Sequence, residues 1–253
     1  MGHVKVAAGE VATITLDRPE SRNAMSDETL RELRAAFSTL EARTRVVIVR
    51  GEGPDFCAGA DINWMRRAGQ LTKEEGKKDA KLLAGMLSAV DECPAVVIVA
   101  AHGNVFGGGL GLVAACDIAV LADSAKLCFS EVRLGIMPAV ISSWVIPKIG
   151  VANARRYFLT AELFGAAEAV RMGLAHETAA DPLARAEQLA GLVLKNGPQA
   201  VRTAKALIPQ LALLPLEERV DLTIETLVKL RSSPEGQEGL SAFLEKRKPS
   251  WAK

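Results

Sequence analysis

Two apolar runs set fifty residues apart limit what this chain can fold into. Val46-Val47-Ile48-Val49-Arg50-Gly51 and Ala95-Val96-Val97-Ile98-Val99-Ala100-Ala101 are short and rich in β-branched residues. Such runs read as buried strands. Pro94 stands where the second can begin. Each run is followed, at the same distance, by a loop of small residues. These are Phe56-Cys57-Ala58-Gly59-Ala60-Asp61 and Phe106-Gly107-Gly108-Gly109-Leu110-Gly111. The offset aligns Val46 with Val96, Phe56 with Phe106 and Gly59 with Gly109. It predicts two stacked turns of one supersecondary unit, with their loops side by side. Glycines at such a turn let a ligand approach the main chain closely. A helix opening at Leu110 would add free N–H groups and a positive dipole end. Two N–H groups from neighbouring loops could then converge on one oxygen, the geometry of an oxyanion hole. A tight strand–helix turn with no ligand is the plainer alternative.

The rest of the chain alternates strands and helices up to about residue 180. Val4 to Leu16 reads as one or two strands and Asp17 to Asn23 as a polar turn. Ser26 can cap a helix with Leu30, Leu33, Phe37 and Leu40 on its apolar face. Thr72 and Glu75 have capping-box spacing, ahead of a helix that turns Leu83, Met86, Leu87 and Val90 inward. The charged stretch from Arg66 to Lys78 reads as a lid or a solvated face. Asp117 to Ala122 and Ala125 to Phe129 are further strands, and Tyr157–Thr160 and Ala166–Met172 are helices. Beyond Asp181-Pro182 only helical patterns remain: to Asn196, then Gln199–Leu211, Leu216–Leu230 and Pro234–Glu245. This divides the chain into a mixed α/β part, 1–180, and a helical part, 181–253, with no linker polar enough to separate them.

Several function classes lack support in these residues. A net charge of +1 gives no reason to expect nucleic acid. No apolar run reaches membrane-spanning length, and the N-terminus resembles neither a signal nor a transit peptide. Cys57, Cys93, Cys116 and Cys128 have no zinc-site spacing, and unpaired thiols fit a reducing compartment, hence a cytoplasmic expectation. The glycine loop fits neither a Walker A nor a dinucleotide fingerprint. Cys57 as a nucleophile would need one of only three histidines, so a small packed residue is the better reading. Glu131 lies among apolar and small residues from Leu127 to Ile141, with Arg133 the exception. Desolvation there would raise its pKa and suit it to acid/base work. The alternative is a surface glutamate paired with Arg133 or Lys126.

Five segments in register resemble one family. They are Arg22-Asn23-Ala24-Met25, Phe56 to Asp61, Gly103 to Asp117, Ser130 to Gly135, and Phe243-Leu244-Glu245-Lys246-Arg247. Together they resemble the crotonase (enoyl-CoA hydratase/isomerase) superfamily, over residues 10–248. The resemblance implies a spiral of ββα units with a helical C-terminal region that assembles trimers or dimers of trimers. It implies that the N–H groups of Ala60 and Gly108 hold the thioester carbonyl of an acyl-CoA, and that Glu131 is the acid/base. Ala58, Asp61, Ile62 and Asn63 would hold the CoA moiety, with the Ala58 carbonyl reading the adenine, and Arg22 and Ala24 would border the nucleotide. Phe243 and Lys246 of a neighbouring subunit would complete that site. No separate cofactor or metal is implied, since CoA is part of the substrate.

Gly111 departs from the family pattern. Hydratases of this family with the usual site carry a second glutamate there, and a glycine neither activates water nor gives a proton. Glu131 then does both jobs with an ordered water, or another group assists, or the reaction is not hydration. Isomerases that shift a double bond, and decarboxylating members, work without that glutamate. Ala60 to Arg67, Phe106 to Leu112, Cys128 to Gly135, Pro138 to Ser142 and Arg155 to Glu162 resemble bacterial methylglutaconyl-CoA hydratases, which favours hydration. Related hydratases of acyclic terpene breakdown take a longer branched glutaconyl-CoA. Both substrates carry a distal carboxylate, for which Arg66, Arg67 and Arg133 are candidate partners. A catalytically weak acyl-CoA-binding protein is the non-enzyme alternative.

Overall fold

The computed structural model describes residues 2–252. Its centre is a six-stranded sheet in the order β1-β2-β3-β4-β6-β9. The strands are β1 (Val4–Ala7), β2 (Val11–Leu16), β3 (Val46–Gly51), β4 (Val96–Ala101), β6 (Ile118–Ala122) and β9 (Glu177–Ala179). β1 runs antiparallel to β2, and every other pair in this sheet is parallel. β3 and β4 pair with Val46 opposite Val96 and Arg50 opposite Ala100, so the fifty-residue offset is the pairing register itself. Both faces of these strands are buried, which is why their sequences do not alternate. Val46, Ile48, Val96, Ile98 and Val120 pack under α7 (Pro182–Leu194), against Ala186 and Ala190. Val47, Val49, Val97, Val99 and Leu121 belong to the larger core on the other side.

That core is closed by α1 (Asp27–Ser38), α3 (Lys73–Asp91) and α4 (Gly108–Ala115). The Ser26 hydroxyl caps α1 by accepting the Thr29 N–H at 3.2 Å. Thr72 and Glu75 form the expected capping box at the start of α3. α2 (Ile62–Ala68) lies between them, so the charged stretch after Asp61 is helical. α4 is buried from Gly109 to Ala115, as an apolar helix without a polar face must be. A second sheet joins β5 (Asn104–Phe106), β7 (Lys126–Cys128) and β8 (Phe164–Gly165) in that order.

The short strands β5 and β8 are absent from the sequence reading, and two further elements differ from it. Tyr157–Thr160 is the end of α5 (Ala139–Thr160), a 22-residue helix bent at Gly150, which has φ +73°. Pro147 and Gly150 mask its periodicity, and burial of Ile141, Val145 and Ile149 holds it together. β9 is too short to show a pattern in sequence, yet it closes the main sheet. After α6 (Ala166–Met172) and α7 come α8 (Pro198–Leu213), α9 (Leu216–Ser232) and α10 (Pro234–Leu244). No described helix is long and apolar enough to cross a membrane.

Candidate active site

The loops after β3 and β4 are stitched together by main-chain hydrogen bonds. Phe56 N–H donates to the His102 carbonyl at 2.9 Å, Cys57 N–H to Asn104 at 3.0 Å, and Phe106 N–H to Cys57 at 2.9 Å. A third strip joins them, because Met25 N–H donates to Gly59 and Asp61 N–H to Met25, both at 2.8 Å. Asn23 ties this strip down through its side-chain amide, which donates to the carbonyls of Glu52 and Asp55 at 2.8 and 2.7 Å. The stacking is close. A Cβ on Gly109 would lie 2.8 Å from Cys57 Cβ, and one on Gly107 would lie 3.9 Å from Gly59 Cα. Gly107 also has φ +50°, a conformation that favours glycine.

This stacking leaves one cavity of about 330 Å³ against the start of α4. Ala58, Gly59 and Ala60 line it from the first loop, and Gly107 and Gly108 from the second. The Ala60 and Gly108 N–H groups donate to no protein acceptor among the described residues. Gly108 is the first residue of α4, so the positive end of that helix faces the cavity.

Glu131 lines the same cavity. It opens a 3-10 turn, Glu131–Leu134, that follows β7 and ends on Gly135 at φ +75°. Gly107 N–H donates to Cys128 at 3.1 Å, which fixes this turn to the glycine loop. The carboxyl group lies over Gly107, with Oε1 3.3 Å from where a Cβ would stand. Oε2 is buried and hydrogen-bonds to no described residue. Burial pushes the Glu131 pKa above the usual carboxylate range, opposed by a weaker hydrogen bond from its own backbone. Neither Arg133 nor Lys126 pairs with it, since Arg133 donates instead to the Ala161 carbonyl.

Gly111 lies one turn into α4, and its side-chain direction is taken. A Cβ there would meet Ile141 Cβ at 2.9 Å, Ile141 Cγ2 closer still, and Leu87 Cδ1 at 3.4 Å. Ile141 is 2% exposed and itself lines the cavity, beside Val140, Pro138 and Met137. An apolar side chain from α5 thus stands where a residue at 111 would project.

Asp61 caps α2 by accepting the Asn63 and Trp64 N–H groups at 2.9 and 3.2 Å, and it pairs with Arg18 at 3.2 Å. These contacts outweigh burial and hold its carboxyl below the ordinary range. Ile62 and Asn63 are exposed on the first turn of α2. Arg22 is exposed beside Asp55, and Ala24 is half-buried with its carbonyl accepting from Arg18. Phe243 and Lys246 do not line the cavity and lie exposed at the end of α10, with Phe243 81% exposed. Cys57 is fully buried, and burial pushes its thiol up to about 11, so it is a packing residue. Arg66 and Arg67 lie outside the cavity, and Arg67 pairs with Asp27 at 2.9 Å.

Several wall residues escaped sequence reasoning. Met25 reaches Gly108, with Sδ 3.0 Å from the position of a Cβ there. Trp64 and Asp79 lie together in the wall formed by α2 and α3, where the indole N–H donates to Asp79 Oδ1 at 2.8 Å. Met25 and Trp64 lie in segments that carry the resemblance, but nothing local marks either as a wall residue, and Asp79 lies in no motif.

The family model described as enoyl-CoA hydratase/isomerase matches residues 7–253. The enoyl-CoA isomerase/hydratase fer4 of Mycosarcoma maydis is 34% identical over 250 residues, covering 93% of this chain and 90% of that protein. Among solved structures, an enoyl-CoA hydratase from Shewanella pealeana superposes with a TM-score of 0.94 at 37% identity, covering 98% of this chain and 96% of that one. AtuE of Pseudomonas aeruginosa superposes equally well, with a TM-score of 0.94 at 34% identity, covering 99% and 100%.

Proposed function

The chain belongs to the enoyl-CoA hydratase/isomerase family, and from that premise we propose that it adds water across the double bond of an α,β-unsaturated acyl-CoA with Glu131 as its single acid/base. The observation that carries this reading is the half-buried Glu131 carboxyl, whose buried Oε2 has no partner among the described residues, in the same cavity as the Ala60 and Gly108 N–H groups. In the reaction, the water oxygen bonds to Cβ while the C=C electron pair moves toward the thioester carbonyl. The resulting enolate oxygen accepts hydrogen bonds from Ala60 and Gly108. Each such donor is worth roughly 3 kcal/mol in the transition state, and the α4 dipole adds to them. Glu131 takes the proton released by the water and delivers one to Cα. The net change is H and OH added across the double bond, and the carboxylate is restored. The raised Glu131 pKa supports both halves, because it brings the group toward the range in which it can accept and donate.

Phe243 and Lys246 of a second copy, with Ala58, Ile62, Asn63, Arg22 and Ala24, would hold the CoA portion in this reading. Asp61 contributes by fixing α2 beside Ala60. The oligomer is a trimer or a dimer of trimers, and CoA enters as substrate.

A second reading has its own observation. Ile141 fills the space at Gly111, so no proton carrier stands there. Glu131 alone can remove a Cα proton from a 3-enoyl-CoA and return it to Cγ, giving the 2-enoyl isomer. The deciding experiment gives the purified protein crotonyl-CoA and 3-hexenoyl-CoA separately, follows the conjugated thioester absorbance and identifies products by mass. Gain of one water by crotonyl-CoA supports hydration. Conversion of 3-hexenoyl-CoA to its 2-enoyl isomer, with crotonyl-CoA left unchanged, replaces the first reading with the second.

A further inference from the structure

Resting on the acyl-CoA reading above, we propose that Asp79 is a specificity-determining residue that keeps acyl chains with a distal anion out of the cavity and selects chains that are uncharged to their end. The cavity walls carry two charged side chains, Glu131 and Asp79, and both are acidic. The three arginines nearest in sequence to these walls supply no cation. Arg67 is paired with Asp27, Arg133 is turned to the Ala161 carbonyl, and Arg66 does not line the cavity.

Asp79 is held in place from two sides. It shares one stripe of α3 with Leu83 and Leu87, at four-residue spacing. Leu83 Cδ1 lies 4.0 Å from the Gly108 side-chain direction and Leu87 Cδ1 lies 3.4 Å from that of Gly111. Asp79 therefore stands one helical turn beyond Leu83, on the Gly108 side of the stripe. Its Oδ1 accepts the Trp64 indole N–H at 2.8 Å, and it forms no ion pair with a described residue.

An acyl group whose carbonyl oxygen sits at Ala60 and Gly108 carries its remaining atoms into this space. A second carboxylate on that group would meet the Asp79 charge with no cation to offset it. Such like-charge contact in a half-buried site lowers acceptance by roughly tenfold or more. Selection here works by rejection, because Asp79 offers nothing to a methyl-terminated chain beyond the wall that Trp64 completes.

The test compares crotonyl-CoA and 3-methylglutaconyl-CoA as substrates of wild type, Asp79→Asn and Trp64→Phe, reading the ratio of kcat/KM values. Asn at 79 keeps an oxygen for the indole N–H but removes the charge. Phe at 64 keeps the charge but removes the indole donor. Wild type prefers crotonyl-CoA by at least about tenfold, Asp79→Asn narrows that ratio by about tenfold, and Trp64→Phe retains the preference. Wild type preferring the glutaconyl thioester overturns the inference. So does an unchanged ratio in Asp79→Asn, or an equal narrowing in Trp64→Phe, which would assign the effect to wall shape. Turnover of neither thioester by wild type removes the hydration reading, and the inference with it.

Discussion

Replacing Gly111 by alanine sets two known effects against each other. Gly111 lies in the body of α4, where alanine is favoured over glycine by about 1 kcal/mol. The added methyl group, however, would stand 2.9 Å from Ile141 Cβ and 3.4 Å from Leu87 Cδ1. Ile141 is β-branched, helical and buried, so it has little freedom to turn aside. Overpacking a rigid core position costs about 1–3 kcal/mol, more than the propensity gain at its upper end. Gly111→Ala is therefore destabilising by up to about 2 kcal/mol, a fall in Tm of up to about 4–8 °C for a chain of this size. Ile141→Ala alone opens a cavity and costs about 2–5 kcal/mol. The double variant removes Ile141 Cγ2, the atom nearest the new methyl group, while the Cβ contact stays, so the two changes couple favourably by about 1 kcal/mol or more. Scanning calorimetry of the four proteins at one concentration reads the cycle. A rise in Tm for Gly111→Ala, or additivity within about 0.5 kcal/mol, would show that Ile141 does not occupy that space.

Three further outcomes follow from buried and half-buried titratable groups. The raised pKa of Glu131 means that the native state binds a proton which the unfolded chain releases, in the window from the ordinary carboxylate value up to the raised one. Wild-type stability falls as pH rises through that window, so Glu131→Gln unfolds at a higher temperature than wild type at pH 8, and the difference shrinks below pH ~4. Asp117 accepts from Lys205 Nζ at 2.6 Å and from the Val97 N–H at 2.7 Å, so Asp117→Ala costs about 2–3 kcal/mol in urea unfolding, partly restored by Lys205→Met. Cys57 in the native protein resists iodoacetamide at pH 8 and reacts only after unfolding, as peptide mass spectrometry would register.

What could be read from sequence was whatever left a local pattern. Val46 and Val96 could be aligned because both strands are buried on both faces and pair without a register shift. Ser26, Thr72 and Pro182 announced helix starts through chemistry confined to one turn. Glu131 stood out because an acid among apolar neighbours is conspicuous. α5 did not, since Pro147 and Gly150 break its signal while tertiary burial of Val145 and Ile149 sustains it. The cavity walls were hidden for a different reason. Met25, Asp79 and Ile141 come from three separate elements, and only the folded chain puts Ile141 against Gly111 or Asp79 beside Trp64.

In the proposed mechanism Ala60, Gly108 and Glu131 together form and protonate an enolate of a bound thioester. Proton exchange measures this without requiring water addition or a double-bond shift. Butyryl-CoA incubated with the protein in D2O should gain deuterium at Cα, because enolate formation in the proposed mechanism is reversible. Glu131→Gln should bind butyryl-CoA as wild type does and exchange it at least about 100-fold more slowly. Exchange by the variant at the wild-type rate, or no exchange by wild type with butyryl-CoA demonstrably bound, would contradict the account.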